Sequence, residues 1–291
     1  MHSYLRSIGF SNISRKEWKE IVEETIRNYD EKQMAGQEKE VIFSEMSKSF
    51  GYDMGITVCG EYDEDNEFLM EYAYPYFRGT GIATREDVLI ERRTEKECYS
   101  GACDDARLGV TLIFYLANAG KYLNEKYKNT LSDCITTLTL SALSLEGKIL
   151  LPIQKNMSEV ESAQKNRRKR VELIQEARNG DEEAMESLTI DDMDIYSALS
   201  RRIQEEDILS IVETYFMPYG MECDRYHILG EIMDVSKVQN TYTGELVYQM
   251  TVNCNDIEFD VCINQQDLLG EPAVGRRFKG IVWLQGILNF M

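Results

Sequence analysis

Histidine is nearly absent from this chain. Its 291 residues include two, His2 and His227, alongside four prolines and two tryptophans. So few histidines leave no HExxH zinc site, no zinc finger and no Ser-His-Asp triad. His2 sits at a terminus expected to be mobile, and His227 opens an apolar strand, where a hydrogen-bonded structural histidine is the ordinary outcome. Any acid–base chemistry therefore falls to carboxylates or a cysteine. The seven cysteines (Cys59, Cys98, Cys103, Cys134, Cys223, Cys254, Cys262) are scattered, without a CxxC pair. Reduced, mostly buried thiols are expected. Phosphate-binding GxxxxGK[ST] and dinucleotide-binding GxGxxG are missing. "EYDEDNEF" lacks the glycine and closing glutamate of an EF-hand loop. No apolar run approaches the ~20 residues of a membrane span, and "MHSYLRSIGFSNISRKEW" has no signal-peptide core. A cytoplasmic location, no membrane association and no metal or cofactor are expected.

What is present is acid. The formal net charge is −19, a field that repels phosphate backbones and anionic lipid and favours basic partners. An apolar fraction of 43% and an aromatic fraction of 10% fit a packed protein. The length suits two domains, and at that size roughly three-quarters of the unfolded surface can be buried without disulfide or metal staples.

"SRKEWKEIVEETIRNY" opens with a capping box, Ser14 with Glu17, before an amphipathic helix carrying Trp18, Ile21, Val22, Thr25, Ile26 and Tyr29. From Glu40 to about Arg93 the period moves towards two, with Phe68, Met70, Tyr72, Tyr74 and Tyr76 alternating and "DEDN" at a turn; an antiparallel sheet is expected. A buried helix capped by Asp104 or Asp105 is expected through "ARLGVTLIFYLANAGKYLNEKY", and a hairpin turning at Glu146-Gly147 through "TTLTLSALSLEGKILLPI". Residues 158–216 read as mostly helical, interrupted at Asn179-Gly180 and restarting at Asp181, with a helix continuing until Pro218 and Gly220. Thereafter three meander strands, a short connection and a returning strand resemble an OB-like barrel; no fifth strand is evident, so an incomplete barrel or small open sheet stays open. The fold class is α+β: a sheet with a buried helix over 1–157, an acidic helical arm over 158–220 and an OB-like β-domain over 221–291.

"CYSGACDDARLG" is the strongest catalytic candidate, because Cys103, Asp104, Asp105 and Arg107 precede an expected helix N-terminus, a position that lowers a thiol's pKa. No histidine lies nearby in sequence, and paired aspartates are also what an N-cap looks like. "VGRRFKGIVWLQG" places Arg276, Arg277 and Lys279 beside Trp283, yet residues 221–291 carry 10 acidic and 5 basic residues, Glu258, Asp267 and Glu271 can neutralise the spot, and Trp283 reads as core. "KNRRKR", Lys165–Arg170, reads as a salt-laced helix face. The tyrosine ladder reads as a sheet face packed under the buried helix. Val171 to Thr214 holds 13 acidic and 3 basic residues, a net of −10, including Glu182, Glu183, Asp191 and Asp192; it is either a solvated face or a docking surface for a basic partner.

"MHSYLRSIGFS", "SLEGKILLPI" and "GRRFKGIVWLQG" together resemble a family of bacterial proteins of unknown function, found mainly in anaerobic Firmicutes. The resemblance covers essentially the whole chain and implies a bacterial, cytoplasmic origin; it carries over no catalytic residue. The leading functional expectation is a non-enzymatic cytosolic protein working through protein–protein contacts. The rivals are a hydrolase or transferase using Cys103 or its neighbouring carboxylates, and a nucleic-acid-binding OB-like module, with nucleic acid disfavoured by the charge. Composition leaves the oligomeric state open.

Overall fold

A computed structural model describes residues 1–36, 42–93, 97–131, 136–153, 157–202, 207–220 and 224–290. The capping box forms as its sequence dictates: the Glu17 amide donates to Ser14 Oγ (3.2 Å) and the Ser14 amide to Glu17 Oε2 (2.8 Å), starting α1 (Arg15–Arg27). Ile21, Val22 and Thr25 bury its inner face. An antiparallel sheet follows, β1 (Glu31–Ala35), β2 (Ile42–Gly51), β3 (Met54–Tyr62) and β4 (Phe68–Phe77), with its strands in chain order. The β3–β4 turn is the expected one: Asp63 Oδ1 accepts from the amides of Asp65 and Glu67, and Asn66 takes the left-handed conformation at φ 61°.

The tyrosine ladder holds for Tyr72, Tyr74 and Tyr76 but breaks before them. Cys59 pairs with Tyr72 while Gly60 pairs with Met70, so Glu71 forms a bulge, and Met70 is exposed. The ladder is covered differently from expectation. β5 (Val88–Arg92) and β6 (Tyr99–Cys103) lead into β7 (Leu112–Leu116), which occupies the stretch expected to be helix. Helix begins only at α2 (Ala119–Tyr127). A short, wholly apolar run satisfies a buried strand as well as a buried helix, and "LIFYL" pairs with β6 on one edge and with the last strand of the chain on the other. Tyr115 of β7 then meets Tyr74 edge-on at 4.7 Å.

The expected hairpin at Glu146-Gly147 is instead one continuous strand, β8 (Thr136–Leu150). Leu145 is absorbed as a bulge, and Gly147, paired with Gly280, lies so close to the Phe278 ring that a Cβ there would stand 2.5 Å from it. The arm comprises α3 (Met157–Arg178), α4 (Glu182–Arg202) and a short α5 (Ile208–Ile211). Its break is where the sequence places it: Gly180 has φ +91°, and Asp181 Oδ1 caps the amide of Ala184. Helix does not persist to Pro218, since Tyr215–Pro218 pairs as β9 with the next strand.

β10 (Arg225–Gln239), β11 (Leu246–Cys254) and β12 (Ile257–Asn264) form the meander, followed by a two-residue β13 (Leu268–Leu269) and β14 (Arg277–Phe290). β8 supplies the strand that the C-terminal segment lacks. It pairs in parallel with β12 and antiparallel with β14, so β8, β12, β11, β10 and β14 close into a ring. β7, β6 and β5 extend the same mixed sheet beyond β14. The whole is mixed α+β, and its larger sheet takes strands from both sides of the arm.

Buried side chains tie the first sheet to the rest of the molecule. Gln285 of β14, fully buried, donates Nε2 to the Pro75 carbonyl (2.8 Å) and accepts from the Phe77 amide (3.0 Å). On β2, Glu45 caps α2 from another element: the Gly120 amide donates to its Oε2 (2.8 Å) while Oε1 has no partner. Asn118 cannot serve as that cap, because its amide is engaged with the Leu288 backbone. Burial raises the Glu45 carboxyl to about 7, against hydrogen bonds from Gly120 and Ala119 that favour the anion. With its folded pKa above the ordinary 4.5, the group's stabilising effect is complete below pH 4.5 and is lost as pH rises through 7. Glu45→Gln should therefore raise unfolding free energy by about 3 kcal/mol at pH 8 and by under about 1 kcal/mol at pH 5. Urea unfolding at the two pH values measures this, and equal gains at both would show that Glu45 is ionised in the fold.

Candidate functional site

Cys103 ends β6 with its side chain buried. Its thiol is pushed up to about 12 by burial first, then by the charges of Asp105, Glu86 and Asp104, with Arg107 opposing. The helix N-terminus expected to activate it is absent, since residues 104–111 lead into a strand. Asp105, 2% exposed, grips Arg107 through Oδ1–Nε (2.9 Å) and Oδ2–Nη2 (2.5 Å). Burial works against ionising Asp105, but its hydrogen bonds from Arg107 and Thr84 outweigh that and hold it below the ordinary carboxylate range. Arg107 also donates to the carbonyls of Ala83 and Asp256, so the pair staples three loops. Asp104 is exposed and accepts from Thr111 Oγ1 at 2.6 Å. A cleft of about 390 Å³ is lined by Asp105 and Arg107 but by neither Cys103 nor Asp104. A pKa near 12 leaves Cys103 roughly a thousand-fold less thiolate at neutral pH than an ordinary thiol. Iodoacetamide should thus modify the native protein at Cys103 far more slowly than the unfolded one; equal rates would restore an activated thiol.

The basic spot on β14 is taken up by backbone. Arg277, 8% exposed, donates Nε to Leu151 O (3.0 Å), Nη1 to Val212 O (2.9 Å) and Nη2 to Leu209 O (2.9 Å). These carbonyls flank the two long arm helices, so the guanidinium latches both roots of the arm to the sheet. Burial lowers its pKa, with the Glu213 charge opposing. Arg276 donates to the Glu271 carbonyl at 2.6 Å, and Lys279 is half-buried.

The arm itself is a helical hairpin. Arg170 of α3 pairs with Asp192 of α4 at 2.7 Å, and Ala184 is the buried contact near the turn. Glu182, Glu183, Asp191 and Asp192 are all exposed. Among them stand Met185, Ile190, Met193, Ile195 and Tyr196, exposed by 44% to 73%. At 100° per residue, Ile190, Met193 and Tyr196 share one exposed face of about 120°, and Ile195 stands about 100° further round.

A separate cavity, of about 400 Å³, opens where the chain start, β4, β7 and β14 converge. Trp283 is its central wall, with ring centroids 4.6 Å from His2, 5.4 Å from Tyr4 and 5.3 Å from Tyr115. Trp283 Nε1 donates to Asp224 Oδ2 (3.0 Å), which also accepts from Arg93 Nη1 (2.6 Å). Arg225 lies 5.4 Å over the Tyr4 ring. His2 Nδ1 accepts from the Tyr4 amide, and burial, with Arg225 adding to it, lowers the imidazole to about 4 against the opposing charge of Asp224. Sequence reasoning missed this grouping: His2 read as a mobile end and Trp283 as core, and no spacing links residues 2, 93, 224 and 283. Of the cysteines described, Cys59, Cys103, Cys254 and Cys262 are buried, Cys98 borders the cavity and none is bridged; Cys134 and Cys223 lie outside the described residues.

This is a mixed α+β protein in which no described helix is long and apolar enough to cross a membrane. Over residues 5–286 the chain matches the family described as "Domain of unknown function, E. rectale Gene description (DUF3881)", and it belongs to that family, in keeping with the Firmicute resemblance of its sequence. Neither a curated protein nor a solved structure matches it.

Proposed function

We propose that the protein acts by binding another protein through its helical arm, the occupant being a basic segment with an apolar face. The observation that carries this reading is the second half of α4, where Ile190, Met193 and Tyr196 form one exposed apolar face with Ile195 to its side. An apolar helix face is normally buried against something, and grouped exposed apolar side chains mark contact sites. Burying an Ile, Met or Tyr fully is worth about 1.5–3 kcal/mol each. The carboxylates of Glu182, Glu183, Asp191 and Asp192 around them, within a segment of net −10, select a basic occupant and speed its approach.

The five-stranded ring supports an OB-like reading of the β-module, with one parallel and four antiparallel contacts. It does not make nucleic acid the preferred partner. Arg277 is spent on the arm's roots, and phosphate contacts need exposed cations. The resemblance to Firmicute proteins supports the cytoplasm as the place of action.

A photo-reactive residue at position 196 should capture a basic protein in the native cytosol, whereas one at exposed Tyr52, on the β2–β3 turn, should not. Changing Glu182, Glu183, Asp191 and Asp192 to their amides should slow association with the captured protein by about tenfold at low salt and flatten its salt dependence. The stability of the fold should change by less than about 1 kcal/mol, because such exposed charges contribute little. Equal capture at positions 52 and 196, or an unchanged association rate, would leave the arm a solvated face.

A further inference from the structure

We propose that the segment received by the arm is an amphipathic α-helix laid along α4, with its apolar stripe on Met185, Thr189, Met193 and Tyr196 and its lysines or arginines over Glu182, Glu183 and Glu186. It rests on the arm's role as a docking surface and gives the occupant a conformation. The four contact positions follow spacings of four, four and three residues. At 100° per residue that keeps them within about 80° of one another over a rise of about 16 Å. Met185 is 44% exposed, Met193 66% and Tyr196 73%, and Thr189 is exposed as well. Thr189 joins the stripe as an apolar member, because its Oγ1 donates to the Met185 carbonyl at 2.8 Å and leaves the methyl group as its outer surface. Ile190, about 60° round from Met193, widens the stripe on one side. Ala184, the buried contact with α3, stands about 100° to 180° away from these positions.

The surface itself selects the conformation of its occupant. Along its length a helix has no backbone groups to offer a neighbour, since its N–H and C=O groups are joined within it. An extended chain lying on α4 would bury its own N–H and C=O groups unpaired, at about 1–3 kcal/mol for each. A second helix arrives with its backbone already satisfied and fits a narrow stripe, setting its ridges into the grooves beside it. A sheet face is also satisfied internally, but it is broad and would bury the flanking carboxylates with the stripe.

Charge selects its composition. Glu182 and Glu183 stand in the first turn of α4, Glu186 stands one turn further on, and all three are exposed. By the same 100° step, Glu182 lies in line with the stripe, Glu186 just beside it and Glu183 next to the line of Ile190. Among the described residues none of the three has an ion pair, whereas Asp192 is held by Arg170 of α3 at 2.7 Å. The face is thus acidic at the start of α4 and apolar over the turns that follow. A helix with Lys or Arg in one turn and apolar residues at i, i+3, i+4 and i+7 beyond it matches both parts. The carboxylates steer its approach and apolar burial holds it.

The test titrates three synthetic peptides of ~18 residues, about five helical turns, into the full-length protein. The first carries Leu at i, i+3, i+4 and i+7 with Lys elsewhere. The second has the same composition with Leu and Lys alternating, and the third has the first pattern with Glu in place of Lys. Calorimetry measures affinity, and circular dichroism measures the helix gained on mixing. The first peptide should bind at micromolar concentrations and gain helix, the second should bind at least about tenfold more weakly, and the third should not bind. Changing Met193→Glu and Tyr196→Glu together adds acid while breaking the stripe. That double variant should weaken the first peptide by about tenfold or more, with the melting temperature within a few degrees because both side chains are exposed. Equal affinity for the alternating peptide would overturn the helical occupant and leave the arm a docking surface. Unaltered affinity in the double variant would show that charge alone holds the peptide and would overturn the stripe. No binding of any peptide would overturn the helical occupant likewise, while capture of a basic protein at position 196 separately decides the role of the arm.

Discussion

The pairing of β14 on both edges is the constraint on which the other features depend. Along its whole length it is hydrogen-bonded to β8, and its other edge serves β10 over Arg277–Trp283 and β7 at Gln285–Gly286. A strand held on both sides cannot slip, and because side chains alternate, a slip of one residue would exchange its faces. One face carries Phe278, Val282, Leu284 and Leu288, all buried. The other carries Arg277, Trp283 and Gln285. Arg277 holds the roots of the arm, Trp283 forms the cavity wall and Gln285 takes up backbone groups of β4. One strand in fixed register thus places the arm, the cavity and the first sheet relative to one another.

The parts of the fold legible in the sequence were those governed by neighbours along the chain. Ser14 with Glu17, Asp63 through Asn66, and Asn179-Gly180 with Asp181 each settle their conformation within a few residues, and each forms as its sequence dictates. The meander β10–β12 also emerged, because one face of each strand is apolar at a period of two. The two stretches that misled are decided by distant partners. "LIFYL" is a strand because β14, some 170 residues later, offers an edge. "SLEGKIL" runs straight because β14 pairs beyond the Glu146-Gly147 step and the Phe278 ring fills the place of a Gly147 side chain. The same distance hid the closing strand of the ring: its five members are split around the arm, so no contiguous segment contains them all.

The candidate sites were legible to a similar degree. The acidic excess between Val171 and Thr214 is a composition, readable without a fold. The apolar side chains among those carboxylates were in view too, but whether Ile190 or Tyr196 faces α3 or solvent depends on how α4 packs. Cys103 with Asp104, Asp105 and Arg107 looked like chemistry because they are adjacent in sequence. In space, Asp105 and Arg107 turn to the loops at Ala83 and Asp256, Asp104 turns outward and Cys103 turns into the core. The grouping around Trp283 is the reverse case: distant in sequence, adjacent in space.

Net charge is a good guide to large partners and a poor one to small ligands. Of the formal −19, the segment from Val171 to Thr214 contributes −10, and its carboxylates stand on an exposed hairpin where salt screens them over about 8–10 Å. A polyanion approaching the whole molecule meets that field, and a basic protein is drawn by it. In the cavity beside Trp283, Arg93, Arg225 and Asp224 act instead at contact distance, through a medium of much lower dielectric than water, so the surface field says little about that interior. The exposed arm and the interior cavity therefore act through different ranges, and the charge of the one does not set the preference of the other.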